Sequence, residues 1–275
     1  MLADLHTHSI YSFDGKPTAT MENIAEHAIA AGLSHVAVTD HCDIDDELAG
    51  IYKPLDKEAV YAAVTAAKEK YRGRVEILFG IELGQAHYCP AESHALLERY
   101  PHDFVLGSIH NLRNMPDFSL LDYARLDDDE VRALYDTALD EELGLCDFEG
   151  VHALGHLNYP ERYLHRLGRT LDLAPHREKL RRLFDKIAEK GLTVELNTSV
   201  MGDGLAMPNE EMLRLYREAG GSRVCLGSDA HDPAKIAQNF EAGCALLRSC
   251  GFTDLTLPTV AGVCTYPIPR RIHHA

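Results

Sequence analysis

The stretch MLADLHTHSIYSFDG, residues 1–15, sets how the rest of the chain is read. It starts as a short apolar run, as a buried strand does, and ends in His6 and His8, followed by Asp14 and Gly15. Alternate side chains of a strand point to one side, so both imidazoles can grip a single cation. Asp14 before Gly15 also suits a simple Asx-turn, so its role depends on what else the chain gathers around it.

Similar apolar runs rich in β-branched residues recur as HVAVTDH (35–41), VEILFGIE (75–82), DFVLGSIH (103–110), VHALGHLN (151–158), LTVELNTS (192–199) and RVCLGSDAH (223–231). Between them lie segments of helical spacing. Residues 176–190 carry Leu180, Leu183, Phe184, Ile187 and Ala188 as one stripe before Gly191. Residues 21–31, 209–219 and 235–248 are patterned in the same way, and Pro208 precedes the second of these segments. The acidic run DDDE (127–130) suits the start of a helix reaching about residue 143, where carboxylates complement the helix dipole, better than it suits a metal site.

Strand alternating with helix implies an α/β protein built of right-handed crossovers. About 250 residues is the usual size of such a barrel, and seven strand candidates predict a distorted (β/α)7 barrel rather than eight strands. No repeat, low-complexity tract or linker divides the chain, so residues 1–275 are expected to form a single domain.

Composition narrows the classes further. The chain has a formal charge of −16, from 43 acidic and 27 basic residues, which disfavours nucleic acid as a partner, while bound cations would offset part of it. No apolar stretch reaches the roughly 18 residues of a membrane helix, and the first residues lack the basic and apolar regions of a signal peptide, which predicts a cytoplasmic protein without a membrane partner. The seven cysteines are scattered and never form C-x-x-C, so reduced, mostly buried thiols are expected. Nothing in the sequence specifies an oligomeric state.

Each strand candidate ends in polar groups, and in a parallel barrel those ends share one face, where active sites are built. His6, His8, Asp14, His41, Glu82, His110, His156, Asp229 and His231 are candidate ligands. His110 or His156 alone reads as a hydrogen-bonded core histidine; the set argues for metal. One ion takes three or four protein ligands, so these residues would furnish two or three divalent ions, with donors suited to Zn, Mn or Fe. Asp40 is placed to orient a ligand or cap a helix. Other histidines, among them His87, His102, His176, His273 and His274, lie off this pattern and are read as structural or surface groups.

The motifs HTHS with a following DG, TDH, GIE, SIH, GH and GSDAH, in this order over residues 6–231, resemble the polymerase and histidinol phosphatase (PHP) family, and within it the histidinol-phosphatase branch of histidine biosynthesis. The resemblance implies a trinuclear site. His6, His8, Glu82 and Asp229 would hold one ion, Glu82 would bridge to a second held by His110 and His156, and Asp14, His41 and His231 would hold a third. It implies hydrolysis of a small phosphate monoester, the cations lowering the pKa of a water that attacks phosphorus in line. Asp229 or His231 would carry the proton to the leaving alcohol.

Two departures bear on substrate. Where that branch has GLRK after NTS, this chain has Val200, Met201, Gly202 and Asp203, and GHLN stands in place of GHPD, so that Asn158 replaces an acid. Arg113, Arg162 and Arg166 are the candidates to hold phosphate instead, the last two sharing a helix face. Histidinol phosphate is the expected substrate. A nucleotide or another small phosphate ester is the enzymatic alternative, and a metal-binding scaffold without catalysis the non-enzymatic one.

Overall fold

A computed structural model describes residues 1–272. His273 and His274, read above as surface groups, lie outside the described residues. The chain runs through β1 (Ala3–Thr7), α1 (Met21–Ala30), β2 (His35–Val38), β3 (His41–Asp43), α2 (Ile44–Ala49), α3 (Lys57–Lys70), β4 (Glu76–Gly84), α4 (Pro90–Arg99), β5 (Phe104–Ser108) and α5 (Asp128–Leu145). It continues through β6 (Ala153–Leu154), α6 (Glu161–Arg166), α7 (Arg177–Lys190), β7 (Thr193–Asn197), α8 (Glu210–Glu218), β8 (Val224–Gly227), α9 (Phe240–Ser249), β9 (Asp254–Thr259) and β10 (Gly262–Pro267).

Seven strands pair in the order β1-β2-β4-β5-β6-β7-β8, every neighbour parallel, with β3 added alongside β4. The last strand returns to the first. Asp229 N donates to His6 O at 2.8 Å and His8 N to Ala230 O at 2.9 Å, so the sheet is a nearly closed seven-stranded barrel, as predicted. β1, β5, β7 and β8 are buried along their whole length, which is why they read as continuous apolar runs.

Helix ends follow local chemistry. The Thr20 side chain accepts from Asn23 N at the start of α1, Asn209 does the same for Met212 N at α8, and Gly191 takes the left-handed position after α7. Asp127 and Glu130 form a reciprocal capping box on α5, so the DDDE run does cap a helix.

Two expectations need correction. The helix expected over 235–248 begins only at Phe240, because Ala237 and Asn239 have φ of 57° and 59°. Ala237 N donates to Asp4 Oδ2 at 2.9 Å and Gln238 O accepts from Thr198 Oγ1 at 2.7 Å, so tertiary bonds take the groups a helix would need. The seven strand candidates also stop at residue 231, yet beyond them β10 lies antiparallel to β9. Pro258 within β9 hid that strand, since proline is excluded from central strands but tolerated in a two-stranded ribbon. No helix of the described residues is long and apolar enough to cross a membrane.

Gly227 ends β8 where the barrel closes, and a Cβ there would run into Glu195 Oε1 and lie 2.6 Å from His6 Cβ. Gly227→Ala is therefore expected to cost about 1–3 kcal/mol by overpacking. The midpoint of denaturant unfolding measures it; an unshifted midpoint would contradict this account of the closure.

Candidate metal centre

Parallel closure brings the C-terminal ends of the strands to one rim. His6 and His8 stand at the end of β1, His41 in β3, Glu82 in β4, and His110 and His156 just beyond β5 and β6. Asp229 and His231 follow β8, and Asp14 reaches in from the loop after β1. Two of these residues adopt left-handed backbone, His156 with φ 24° and Asp229 with φ 52°. Such conformations cost free energy and persist only when held. The His156 N–H donates to Glu195 Oε2 at 2.9 Å, and that of Asp229 to the closing bond with His6.

The donor atoms fit a cation. His6 Nε2 and His8 Nε2 are 3.1 Å apart, and Glu82 Oε2 lies 3.2 and 3.6 Å from them. Asp229 Oδ1 lies 3.7 and 3.4 Å from the same two nitrogens. The edge of a tetrahedron with metal–ligand bonds of about 2.1 Å is about 3.4 Å, so His6 and His8 are spaced to share an ion with either carboxylate. Glu82 Oε2 is buried and has no hydrogen-bond partner among the described residues.

The other oxygen of Glu82 looks the opposite way, with His110 Nε2 at 3.0 Å and His156 Nε2 at 2.9 Å. On the solvent side Asp14 Oδ2 lies 2.9 Å from His231 Nε2 and 3.7 Å from His41 Nε2, while His41 Nδ1 faces Glu82 Oε2 at 2.8 Å. His8 stacks on both the His41 and His231 rings, at 4.3 and 4.0 Å, and so touches two of the groups. All nine sequence-predicted donors thus meet at one rim.

Charge follows contact. Burial alone would raise Glu82, yet His6, His41 and His110 hold it well below the usual carboxylate range. Burial opposes a charge on His41 as well, but Glu82 and Asp14 carry it up to about 10. His8 is pushed the other way, by burial and by the neighbouring His231 and His41.

The sequence reading missed the acids that aim these rings. Glu195 Oε1 meets His6 Nδ1 at 2.7 Å, and Asp43 Oδ1 meets His110 Nδ1 at 2.7 Å. Such partners fix the tautomer and direction of a ligating histidine. Ser108 Oγ donates to Glu82 Oε1 at 2.7 Å. The signal for Glu195 was present, as a charged residue inside the apolar run TVELN. Asp40 neither aims a ring nor caps a helix: it accepts from Ser9 N at 2.6 Å and Ser9 Oγ at 2.7 Å, pinning the loop after His8.

The rim opens into a cleft of about 460 Å³ that reaches Phe13, Tyr52, Tyr159, Arg162 and Arg166. Tyr52, between α2 and α3, and Ser119, between β5 and α5, also line it. Arg162 Nη1 donates to Asp229 Oδ2 at 3.3 Å, and its Nε is buried without a hydrogen-bond partner among the described residues. The Arg166 guanidinium lies 5.2 Å from the Tyr163 ring. Arg113 is turned elsewhere: its guanidinium sits 3.9 Å over the Tyr88 ring, along a neighbouring cavity. Asn158 Nδ2 donates to Glu161 Oε2 at 2.6 Å, so it serves α6 rather than the donor cluster.

Comparison with known proteins follows the same geometry. The family model for the PHP domain matches residues 4–199. The chain is 24% identical over 258 residues to a protein named "Histidinol-phosphatase" from Lactococcus lactis subsp. lactis (strain IL1403), covering 92% of each. It is 26% identical over 256 residues to a "Probable histidinol-phosphatase" from Clostridium acetobutylicum, covering 91% of this chain and 94% of the relative. In fold it is similar to the crystal structure of histidinol phosphate phosphatase from Lactococcus lactis complexed with zinc, L-histidinol and phosphate. There the TM-score is 0.75 at 23% identity, covering 96% of this chain and 98% of that one.

Glu195→Ala would strand His6 Nδ1 and the His156 N–H, both buried, and is expected to cost about 3 kcal/mol. Glu195→Gln keeps an acceptor and is expected to lose less than half as much. Unfolding of the metal-free chain separates the two; equal losses would show that Glu195 acts through packing alone.

Proposed function

From the premise that this chain belongs to the PHP domain family, we propose that it is a metal-dependent phosphomonoesterase. Its proposed reaction converts L-histidinol phosphate and water to L-histidinol and phosphate. The whole chain is read as one domain. The observation that carries the proposal is the sharing of Glu82: one oxygen lies at ligand spacing from His6 and His8, and the other meets His110 and His156.

We assign His6, His8, Glu82 and Asp229 to one ion, Glu82, His110 and His156 to a second, and Asp14, His41 and His231 to a third. Zn, Mn and Fe suit these nitrogen and oxygen donors, and the Lactococcus lactis structure holds zinc. Divalent cations in such a site supply Lewis acidity toward phosphoryl oxygens and lower the pKa of water.

The chain's own residues do the rest. Arg162, beside Asp229, is placed to grip the phosphoryl oxygens, with Arg166 further out on the same helix; together they stand in for the arginine missing after NTS. Arg113 is set aside, since a phosphate on it would face Asp45, Asp46 and Asp117. Asp229 and His231 are the two groups considered for moving the proton to the leaving alcohol: Asp229 Oδ2 accepts from Arg162, and His231 has Nδ1 on Asp229 O at 3.0 Å and Nε2 on Asp14.

Val200 and Met201, in place of the expected arginine-bearing segment, motivate a second reading as a phosphatase of nucleotides or another small ester. Complete donor sets weigh against a scaffold that has lost catalysis.

Chelation is expected to abolish phosphate release, and Zn, Mn or Fe to restore it. Full metal occupancy with no ester hydrolysed would instead favour the scaffold. Histidinol phosphate should turn over faster than a generic aryl phosphate; equal kcat/KM for the two rejects the specific substrate. Arg162→Ala should lower kcat/KM on the order of a hundredfold, with Arg162→Lys recovering part of it.

A further inference from the structure

Five rings stand in an unbroken series of stacked pairs that runs from the cleft mouth into the donor cluster. Tyr52 lies 4.6 Å from Phe13 with the planes 7° apart, Phe13 lies 5.0 Å from His41, His41 4.3 Å from His8, and His8 4.0 Å from His231. The three histidines are donors; Phe13 and Tyr52 are not, and the proposed reaction leaves them without a role. Phe13 immediately precedes Asp14, so it adjoins two of the donors assigned to the third ion, one along the chain and one through its ring.

The donors of that ion are the most exposed of the nine. The Asp14 and His231 side chains are 40% and 26% exposed, whereas none of the six donors in the other two sets exceeds 7%. An ion held there meets water and competing ligands first, so its retention depends on how firmly its donors are kept in place. The outer end of the ring series is anchored for this. Gly50 ends α2 in a left-handed turn with φ 73°, and Glu47 closes the loop that carries Tyr52, accepting from Leu55 N at 3.0 Å and Lys57 Nζ at 2.8 Å.

Two effects make such a stack favour the bound ion. A ring face is electron-rich and an imidazole that coordinates a cation is electron-poor, so the contact of Phe13 with His41 strengthens on binding. Phe13 also restrains His41 and the adjoining Asp14 before the ion arrives, which lowers the cost of ordering them.

We propose that Phe13, braced by Tyr52, is a positioning residue for the third ion: it stacks on His41, steadies Asp14, and so slows the loss of that ion alone. This inference rests on the assignment of Asp14, His41 and His231 to one ion in the metal-dependent reading above, which it deepens.

The test is ion release from the zinc-loaded full chain. Zinc is counted per chain by mass spectrometry after desalting, and its transfer to a chromogenic chelator is then followed in time. One ion per chain is expected to leave in a faster phase than the rest. Phe13→Ala should speed that phase on the order of tenfold and Tyr52→Ala by less, with the slower ions leaving at the wild-type rate. Phe13→Tyr, which keeps the ring, should match the wild type, and Phe13→Leu, which keeps only apolar bulk, should not. Phe13 is 53% exposed, so its variants are expected to fold, and the unfolding midpoint of each metal-free chain verifies this. Should Phe13→Ala fail to fold, Tyr52→Ala and Phe13→Leu still decide. Unchanged release from the folded variants overturns the proposal. So does equal quickening of every ion, which would make the ring a general packing element, and so does a raised KM with unchanged release, which would make it a platform for substrate. Each of those results leaves the metal assignment standing, whereas a wild-type chain that retains no zinc overturns that assignment and this proposal with it.

Discussion

Glu82 is fully buried, and imidazole nitrogens of His6, His8, His41, His110 and His156 all lie within 3.6 Å of its oxygens. An isolated carboxylate in that position would cost several kcal/mol, so its burial is tolerable only while those five side chains converge on it. They come from four other strand ends, and each must therefore keep its register against β4. A slip of one residue would bring Ile81 or Leu83 to the place of Glu82, turning an apolar side chain into the donor cluster. The arrangement of the barrel and the charge at its centre are thus a single constraint.

That constraint explains where the chain closes. β1 and the segment after β8 are separated by more than two hundred residues, yet the hydrogen bonds that join them involve His6, His8, Asp229 and Ala230. Asp4 reinforces the seam from inside, accepting from Ser228 N and Ala237 N, each at 2.9 Å. Burial pushes the Asp4 carboxyl up to about 6, and those donors oppose the rise. Glu195, beneath the same seam, ties His6 to the strained His156 backbone. A site whose ligands are also the ends of its scaffold loses geometry when closure is disturbed, even far from the cleft.

The barrel and its donors were legible because both rest on local pattern. Buried parallel strands are apolar on both faces, so seven short runs stood out, and the polar residue ending each run marked the rim. What was not legible depends on contacts distant in sequence. The two-residue strand β6, the extra strand β3 beside β4 and the late start of α9 are set by pairing and by Asp4 and Thr198, not by their own residues. The aiming acids Glu195 and Asp43 were equally hidden. A lone acid in an apolar run shows that something compensates it, but only the fold names the histidine. Among the arginines, Arg162 and Arg166 line the metal cleft while Arg113 does not, a distinction that spacing along the chain cannot make.

The net charge of −16 takes a different meaning once the fold is known. Read from sequence, it argues against polyanionic partners. In the structure six of the 43 acidic residues, Asp4, Asp40, Asp43, Asp46, Glu82 and Glu195, are buried around or beside the donor cluster. These groups do not repel ligands at a distance as surface acids would; they set the charge of a small space, which must be balanced by imidazoles, by cations or by Arg162. A phosphate monoester is negative, and it can enter such a space only where positive charge is concentrated, at the metal rim and Arg162. On the proposed reading, the same field that calls for cations at the rim would also orient the ester, its phosphate toward the metal rim and Arg162.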